Sequence, residues 1–145
     1  HRPVAQTVPT DKYITFSMGR LEPQTGRLTY VNAGHNPPVL VRGSGELETL
    51  CEGGMVLGFF DSAPFDQGVT QLEPGDALVV FSDGVTETWN ADAEAYGESR
   101  LMDLLVGLRE RAAAGLQAGI LEALETFAPG AKATDDRTII VLKRE

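Results

Sequence analysis

The chain has 145 residues, about the size of one domain, and its 42% hydrophobic and 23% charged residues exclude a disordered polypeptide. No apolar run approaches the ~20 residues of a membrane-spanning helix, and no signal peptide is visible. A net charge of −9 argues against binding nucleic acid by phosphate neutralisation; it suits a protein that holds cations, and a solvated acidic surface accounts for it equally well.

The chain starts at His1 rather than Met, so it reads as a piece of something longer or the tail of a tag. His1 to Pro9 lacks periodicity and reads as an irregular lead-in. Tyr13 to Met18 alternates as a strand, with Ile14, Phe16 and Met18 on one side. Pro23-Gln24-Thr25-Gly26 forms a hairpin turn into a strand from Arg27 to Ala33, with Leu28 and Tyr30 on one face. Asn32-Ala33-Gly34-His35-Asn36-Pro37-Pro38 follows, its small residues permitting a tight turn and its prolines fixing the exit. His35 there is either a structural histidine bonded to a loop carbonyl or a catalytic one. Pro38 to Arg42 and Glu46 to Leu50 are strands joined by Gly43-Ser44-Gly45.

Cys51, the single cysteine, excludes an internal disulfide and a Cys-rich zinc site, and makes a reducing, cytoplasmic setting the expectation. Gly53-Gly54 and Gly58 read as loop hinges, without the strand-to-helix setting of a phosphate loop. Val69 to Leu72 and Ala77 to Ser82 form a further strand pair around Pro74-Gly75, and Leu72-Glu73-Pro74-Gly75-Asp76 reads as a plain β-turn. Trp89 and Tyr96 are expected to pack. Leu101, Leu104, Leu105 and Leu108 repeat as an amphipathic helix with Glu98 near its start. Leu116, Ile120, Leu124 and Phe127 mark a second helix, stopped by Pro129-Gly130. Thr138 to Leu142 is a last apolar strand. Antiparallel strands, two helices and one strand make an α+β fold with helices segregated onto sheet faces.

Two apolar strands meet acids at their ends. "LVVFSDG" leaves a strand at Asp83, and "TDDRT" enters one at Asp135 and Asp136. If those strands are antiparallel neighbours, the acids share one edge of the sheet. Carboxylates gathered in a poorly solvated site repel unless one is protonated or a cation lies between them. Oxygen ligands without clustered His or Cys favour Mg²⁺ or Mn²⁺ over Zn²⁺. The competing reading is local: Asp83-Gly84 is a turn, and Asp135 and Asp136 bond nearby backbone N–H groups. The residues alone leave the two readings balanced.

Taken in order, "YVNAGHNPPVLV", "VLGFF", "LEPGDALVVFSDGVTETWNADAEAYG", "RLMDLL" and "TDDRTIIVLKR" resemble the bacterial branch of the metal-dependent serine/threonine protein phosphatases, the sporulation stage II and stress-response sigma-regulating branch. The resemblance covers Tyr13 to Arg144. It implies an antiparallel β-sandwich flanked by helices, and a pair of Mn²⁺ or Mg²⁺ ions whose bound water hydrolyses phosphoserine or phosphothreonine. It implies metal-ligand positions at Asp83, with Gly84 beside it, and at Asp135, with Asp136 in support. It places His35 near the site without fixing its role. The implied partners are a phosphorylated anti-sigma-factor antagonist and an upstream sensor or receiver domain, in a cytoplasmic protein with no nucleic-acid partner and no membrane insertion of this segment.

One departure accompanies the resemblance. The family's first metal motif, an Asp before a Gly-rich turn on an early strand, has no counterpart between His1 and Tyr30, and Asp11 stands before Lys12-Tyr13 without such a turn. Residues 1–145 are therefore expected to be one truncated phosphatase-like domain, its N-terminal part missing, with weak or no activity alone. A non-catalytic phosphatase-like binding module is the alternative. A small-ligand β-barrel is the third reading, disfavoured by the helix pair between Asp83 and Asp135.

Overall fold

The computed structural model describes residues 12–58, 64–130 and 136–145. It divides into two units: the described residues of His1–Pro37 with Leu50–Leu72, and those of Pro38–Thr49 with Glu73–Glu145.

The first unit is a four-stranded sheet around β2 (Arg27–Ala33). β1 (Phe16–Glu22) pairs antiparallel along its whole length, from Phe16 opposite Ala33 to Glu22 opposite Arg27. The turn between them closes as predicted, with the Gly26 N–H donating to the Glu22 carbonyl at 2.7 Å. The other side of β2 is shared. β6 (Gly68–Gln71) covers its first half antiparallel, and β5 (Gly53–Gly54) covers Asn32 and Ala33 in parallel. Alternation buries Leu28, Tyr30 and Asn32 on one face.

Two expectations need correcting here. The first strand begins at Phe16 rather than Tyr13; Ile14 makes only an isolated bridge to Leu57, and the side carrying Ile14, Phe16 and Met18 is exposed. Gly53-Gly54 is a strand instead of a hinge. Two residues are too few to show a period, and only the partner strand reveals the pairing.

The second unit is a four-stranded antiparallel sheet in the order β4-β3-β7-β8: β4 (Leu47–Thr49), β3 (Val39–Val41), β7 (Ala77–Phe81) and β8 (Ile139–Lys143). β7 is central, pairing Val39 with Val79 on one side and Phe81 with Ile139 on the other. Its alternate residues Ala77, Val79 and Phe81 join the helices in one core. α1 (Asp83–Thr86) is a single turn, α2 runs over Gly97–Leu108 and α3 over Ala113–Phe127. The predicted stripes are the buried ones: Leu101, Leu105 and Leu108 from α2, and Leu116, Ile120 and Leu124 from α3. Tyr96 packs as expected, edge-on to Phe127 with ring centroids 5.3 Å apart, and Arg100 lies over the Phe127 ring at 5.0 Å. Trp89 does not pack: it is 49% exposed and its backbone bridges to Ala95. The strap from Glu87 to Tyr96 closes through backbone and the Asn90 side chain, which accepts from the N–H groups of Asp92 and Glu94.

The Pro74-Gly75 turn holds more than a turn. Asp76 is 3% exposed and accepts from the N–H of Glu73 at 3.0 Å, the N–H of Gly43 at 2.9 Å and the Arg42 guanidinium at 2.8 Å. Arg42 also pairs with Glu48. One carboxylate thus joins the turn before β7 to the β3–β4 turn and fixes the β3–β7 register. Burial pushes the Asp76 carboxyl up, but the Glu73 N–H, the Arg42 guanidinium and the Gly43 N–H outweigh it and hold it below its ordinary value. A depressed folded-state value means this stabilisation is present above the unfolded pKa and disappears as pH falls through the folded one. Asp76→Asn is expected to lose about 3 kcal/mol at neutral pH, because a buried pair loses one partner. Urea denaturation of both proteins at pH 7 and again in acid checks this; the difference shrinks in acid, where wild-type Asp76 is itself protonated.

Candidate metal centre

β7 delivers Phe81 into the core and then stops being a strand at Ser82, because the Ser82 carbonyl turns to accept the Val85 N–H at 3.1 Å. That bond opens α1. The Asp83 carbonyl accepts the Glu87 N–H at 2.8 Å and the Thr86 hydroxyl at 3.2 Å, and Thr88 bonds the Gly84 carbonyl at 2.9 Å. Asp83 stands exposed at the head of this turn, with Oδ1 accepting from the Gly84 N–H at 3.0 Å. Gly84 itself is buried.

β8 arrives alongside, antiparallel. The last ladder pair is Phe81 with Ile139, and three further bonds carry the contact past it. The Ser82 N–H donates to the Thr138 carbonyl at 3.0 Å, the Thr138 N–H donates to Ser82 Oγ at 2.9 Å, and Ser82 Oγ–H donates to the Asp136 carbonyl at 2.8 Å. The sequence expectation is that Asp83 and Asp135 share one edge of the sheet if the two strands are antiparallel neighbours; β7 and β8 are such neighbours, and Asp83 and Asp136 are the described acids beyond their paired ends. Asp135 lies outside the described residues.

Both described acids are exposed. The expectation that Asp83 lies in a poorly solvated site beside Asp135 is therefore corrected as to Asp83, which is exposed, and water screens exposed charges. The donors are oxygens, and such hard ligands fit a Mg²⁺- or Mn²⁺-type cation. Among the described residues, no three His, Cys, Asp or Glu side chains are gathered as a metal site.

His35 belongs to the first unit. Asn32, buried at the end of β2, clasps the turn: its Nδ2 donates to the His35 carbonyl and its Oδ1 accepts the His35 N–H, both at 2.9 Å. Gly34 holds φ at +70°, and a Cβ there would meet Val56 Cγ1 at 2.5 Å. The half-buried His35 ring places Nδ1 3.3 Å from the Thr15 hydroxyl. Behind Asn32, the Gly53 backbone comes so close that a Cβ on it would lie 1.8 Å from the Asn32 carbonyl oxygen. The clasp by Asn32 and the structural use of Ser82 are the features that sequence reasoning missed. For Asn32 the signal was available: an Asn two residues before a turn glycine can bond that turn's backbone.

The chain belongs to the family described as Stage II sporulation protein E (SpoIIE), which it matches over residues 1–145. Its fold is the α+β fold of PP2C-type phosphatase domains. It is 30% identical, over its full length, to the phosphoserine phosphatase RsbU of Bacillus subtilis, and covers 43% of that protein. It is also 30% identical to Protein IcfG of Synechocystis over 64% of this chain and 15% of that one. Among solved structures it resembles the RsbU and RsbW domains of Rv1364c from Mycobacterium tuberculosis, with a TM-score of 0.76 at 26% identity over 99% of this chain and 39% of that one. The Mn-presoaked SpoIIE phosphatase domain of B. subtilis has a TM-score of 0.71 at 20% identity, over 97% of this chain and 62% of that one, a likeness of fold. The chain thus spans less than half the length of the curated relatives it matches. These relationships displace the small-ligand β-barrel reading.

Gly53→Ala is expected to cost about 3 kcal/mol or more, because rigid backbone stands where the methyl would go. Thermal melting checks it, and the amide of His35 should lose protection from hydrogen exchange as the Asn32 clasp loosens.

Proposed function

We propose that the protein is a metal-dependent serine/threonine phosphatase, and that Asp83, Asp135 and Asp136, with the Gly84 backbone beside them, hold its divalent cations. The observation that carries the reading is the meeting of β7 and β8, which brings Asp83 and Asp136 to one edge of one sheet. The family supports it, as does the phosphoserine phosphatase named among its relatives. Bound Mn²⁺ or Mg²⁺, two ions in the complete domain, would supply an activated water and neutralise phosphoryl charge. The chain's own part is to hold hard oxygen donors on a backbone that cannot drift. Asp83 is fixed because its carbonyl and one carboxylate oxygen both serve α1, and Asp136 because its carbonyl is tied to Ser82. His35 is the candidate catalytic residue, held in its turn by Asn32.

The substrate we infer is a phosphorylated regulatory protein of the anti-sigma-factor-antagonist type, met in the cytoplasm and controlled by an upstream sensor or receiver domain. The relatives RsbU and Rv1364c, whose solved chain carries RsbU and RsbW domains, support that system. No helix of the described residues is long and apolar enough to cross a membrane. A second reading, a phosphatase-like module that binds without turnover, draws on the early stretch from His1 to Tyr30, which has no Asp before a Gly-rich turn.

Asp83→Asn separates the two. In the full-length protein the substitution is expected to weaken Mn²⁺ binding and Mn²⁺-dependent phosphopeptide hydrolysis by more than about 100-fold, beyond the ~10–100-fold typical of outer-shell changes. Stability should move by no more than about 0.5 kcal/mol, since Asp83 is exposed and Asn can keep its bond to Gly84. Calorimetric Mn²⁺ titration, turnover and melting are measured together. Wild-type metal binding and turnover in the variant would reject Asp83 as a ligand; a wild-type protein that binds phosphopeptide without hydrolysing it would favour the binding module.

A further inference from the structure

A strand that becomes a helix loses a rung. In an antiparallel ladder, a hydrogen-bonded pair exchanges two bonds, N–H to carbonyl in each direction. Ser82 and Thr138 stand where the next such pair would fall, one step beyond Phe81 and Ile139, the last pair of the ladder. Only one of the two backbone bonds forms, from the Ser82 N–H to the Thr138 carbonyl. The Ser82 carbonyl is taken by the Val85 N–H to start α1. The Thr138 N–H donates to the Ser82 hydroxyl oxygen instead, at 2.9 Å, and that hydroxyl in turn donates to the Asp136 carbonyl at 2.8 Å. A serine before a helix ordinarily caps it with its side chain. Here Ser82 occupies the cap position and makes no side-chain cap bond. Its hydroxyl acts across the strands.

We propose, resting on the metal reading above, that Ser82 is the positioning residue of the metal centre: its hydroxyl replaces the carbonyl that β7 surrenders to α1, and so holds the approach to β8 at Asp136 a fixed distance from Asp83. The chain must satisfy two demands at one residue. Asp83 needs the abrupt turn into α1 to stand at the sheet's edge. Asp136 needs β8 to remain docked one residue pair beyond the point where β7 ends. A residue with only one acceptor, its carbonyl, meets the first demand and fails the second. Serine supplies a second acceptor and a donor within reach of the neighbouring backbone. Threonine supplies the same pair; alanine supplies neither. Ser82 touches no substrate in this scheme. It acts through the spacing of two acids, as outer-shell groups do when they orient a metal's ligands.

The test uses Ser82→Ala and Ser82→Thr in the full-length protein, with Mn²⁺ alone as the probe. Hydrogen exchange at the Thr138 amide reads the clasp directly, calorimetric titration reads metal affinity, and thermal melting reads the fold. In Ser82→Ala the Thr138 amide is expected to exchange faster and Mn²⁺ affinity to fall about 10- to 100-fold, with Ser82→Thr close to wild type in both. A purely structural serine would lower the melting temperature and leave the affinity of the folded protein unchanged, which overturns the proposal. Equal loss of affinity in both variants also overturns it, because the hydroxyl would then be irrelevant. A wild-type protein that takes up no Mn²⁺ overturns the metal reading of the whole site and this role with it. A wild-type protein that binds, matched by a Ser82→Ala variant that binds as tightly, overturns this role alone.

Discussion

Five residue pairs between β7 and β8, from Ala77 opposite Lys143 to Phe81 opposite Ile139, set the positions of everything that follows at the candidate centre. The pairing joins segments more than 50 residues apart in sequence, and its register is fixed because period-two alternation cannot slip by one without turning Val79 and Phe81 away from the helices. The core formed with α2 and α3 therefore does two things at once. It stabilises the second unit, at roughly 1.5–3 kcal/mol for each large apolar side chain fully buried. It also decides which residue of the last strand lies beside Ser82. The acids gain their placement from apolar burial a few residues away.

Polar groups then carry the register into places where apolar packing stops. At one end of β7, buried Asp76 gathers two turn N–H groups and Arg42, so that the β3–β4 turn and the turn before β7 share one anchor. At the other end, Ser82 carries the contact past the last ladder pair. In the first unit Asn32 does comparable work for the turn that holds His35. In each case a short polar side chain stands in for backbone groups that a turn has taken out of the ladder. Buried or strand-end backbone groups left without partners would cost more than the net gain of making such a bond, which is why these positions are exacting.

Under the function proposed above these anchors have a purpose, because carboxylates that hold a cation need rigidity where they stand. Asp83 and Asp136 are exposed but tied through their backbones, which restricts where their carboxylates can go. The strap from Glu87 to Tyr96, rooted on α1 by Thr88, keeps Trp89 at the surface rather than in the core.

Much of this was legible in the sequence. The leucine stripes of α2 and α3, the turns at Gly26, Gly45 and Gly75, and the apolar strands ending in acids are local patterns, and local patterns follow from the two periods of backbone geometry. Their joint order identified the family. What the sequence could not determine was set by partners distant along the chain. β5 is a strand only because β2 lies beside it. Asp76 is an anchor rather than a turn residue because Arg42 and Gly43 reach it from 34 and 33 residues away. Trp89 is exposed because its strap closes through backbone and the Asn90 side chain. A serine in the position of Ser82 ordinarily caps a helix with its side chain. Only the antiparallel arrival of Thr138 and Asp136 gave its hydroxyl a different acceptor and donor, and a hydrogen bond goes to the groups that folding brings within about 3 Å.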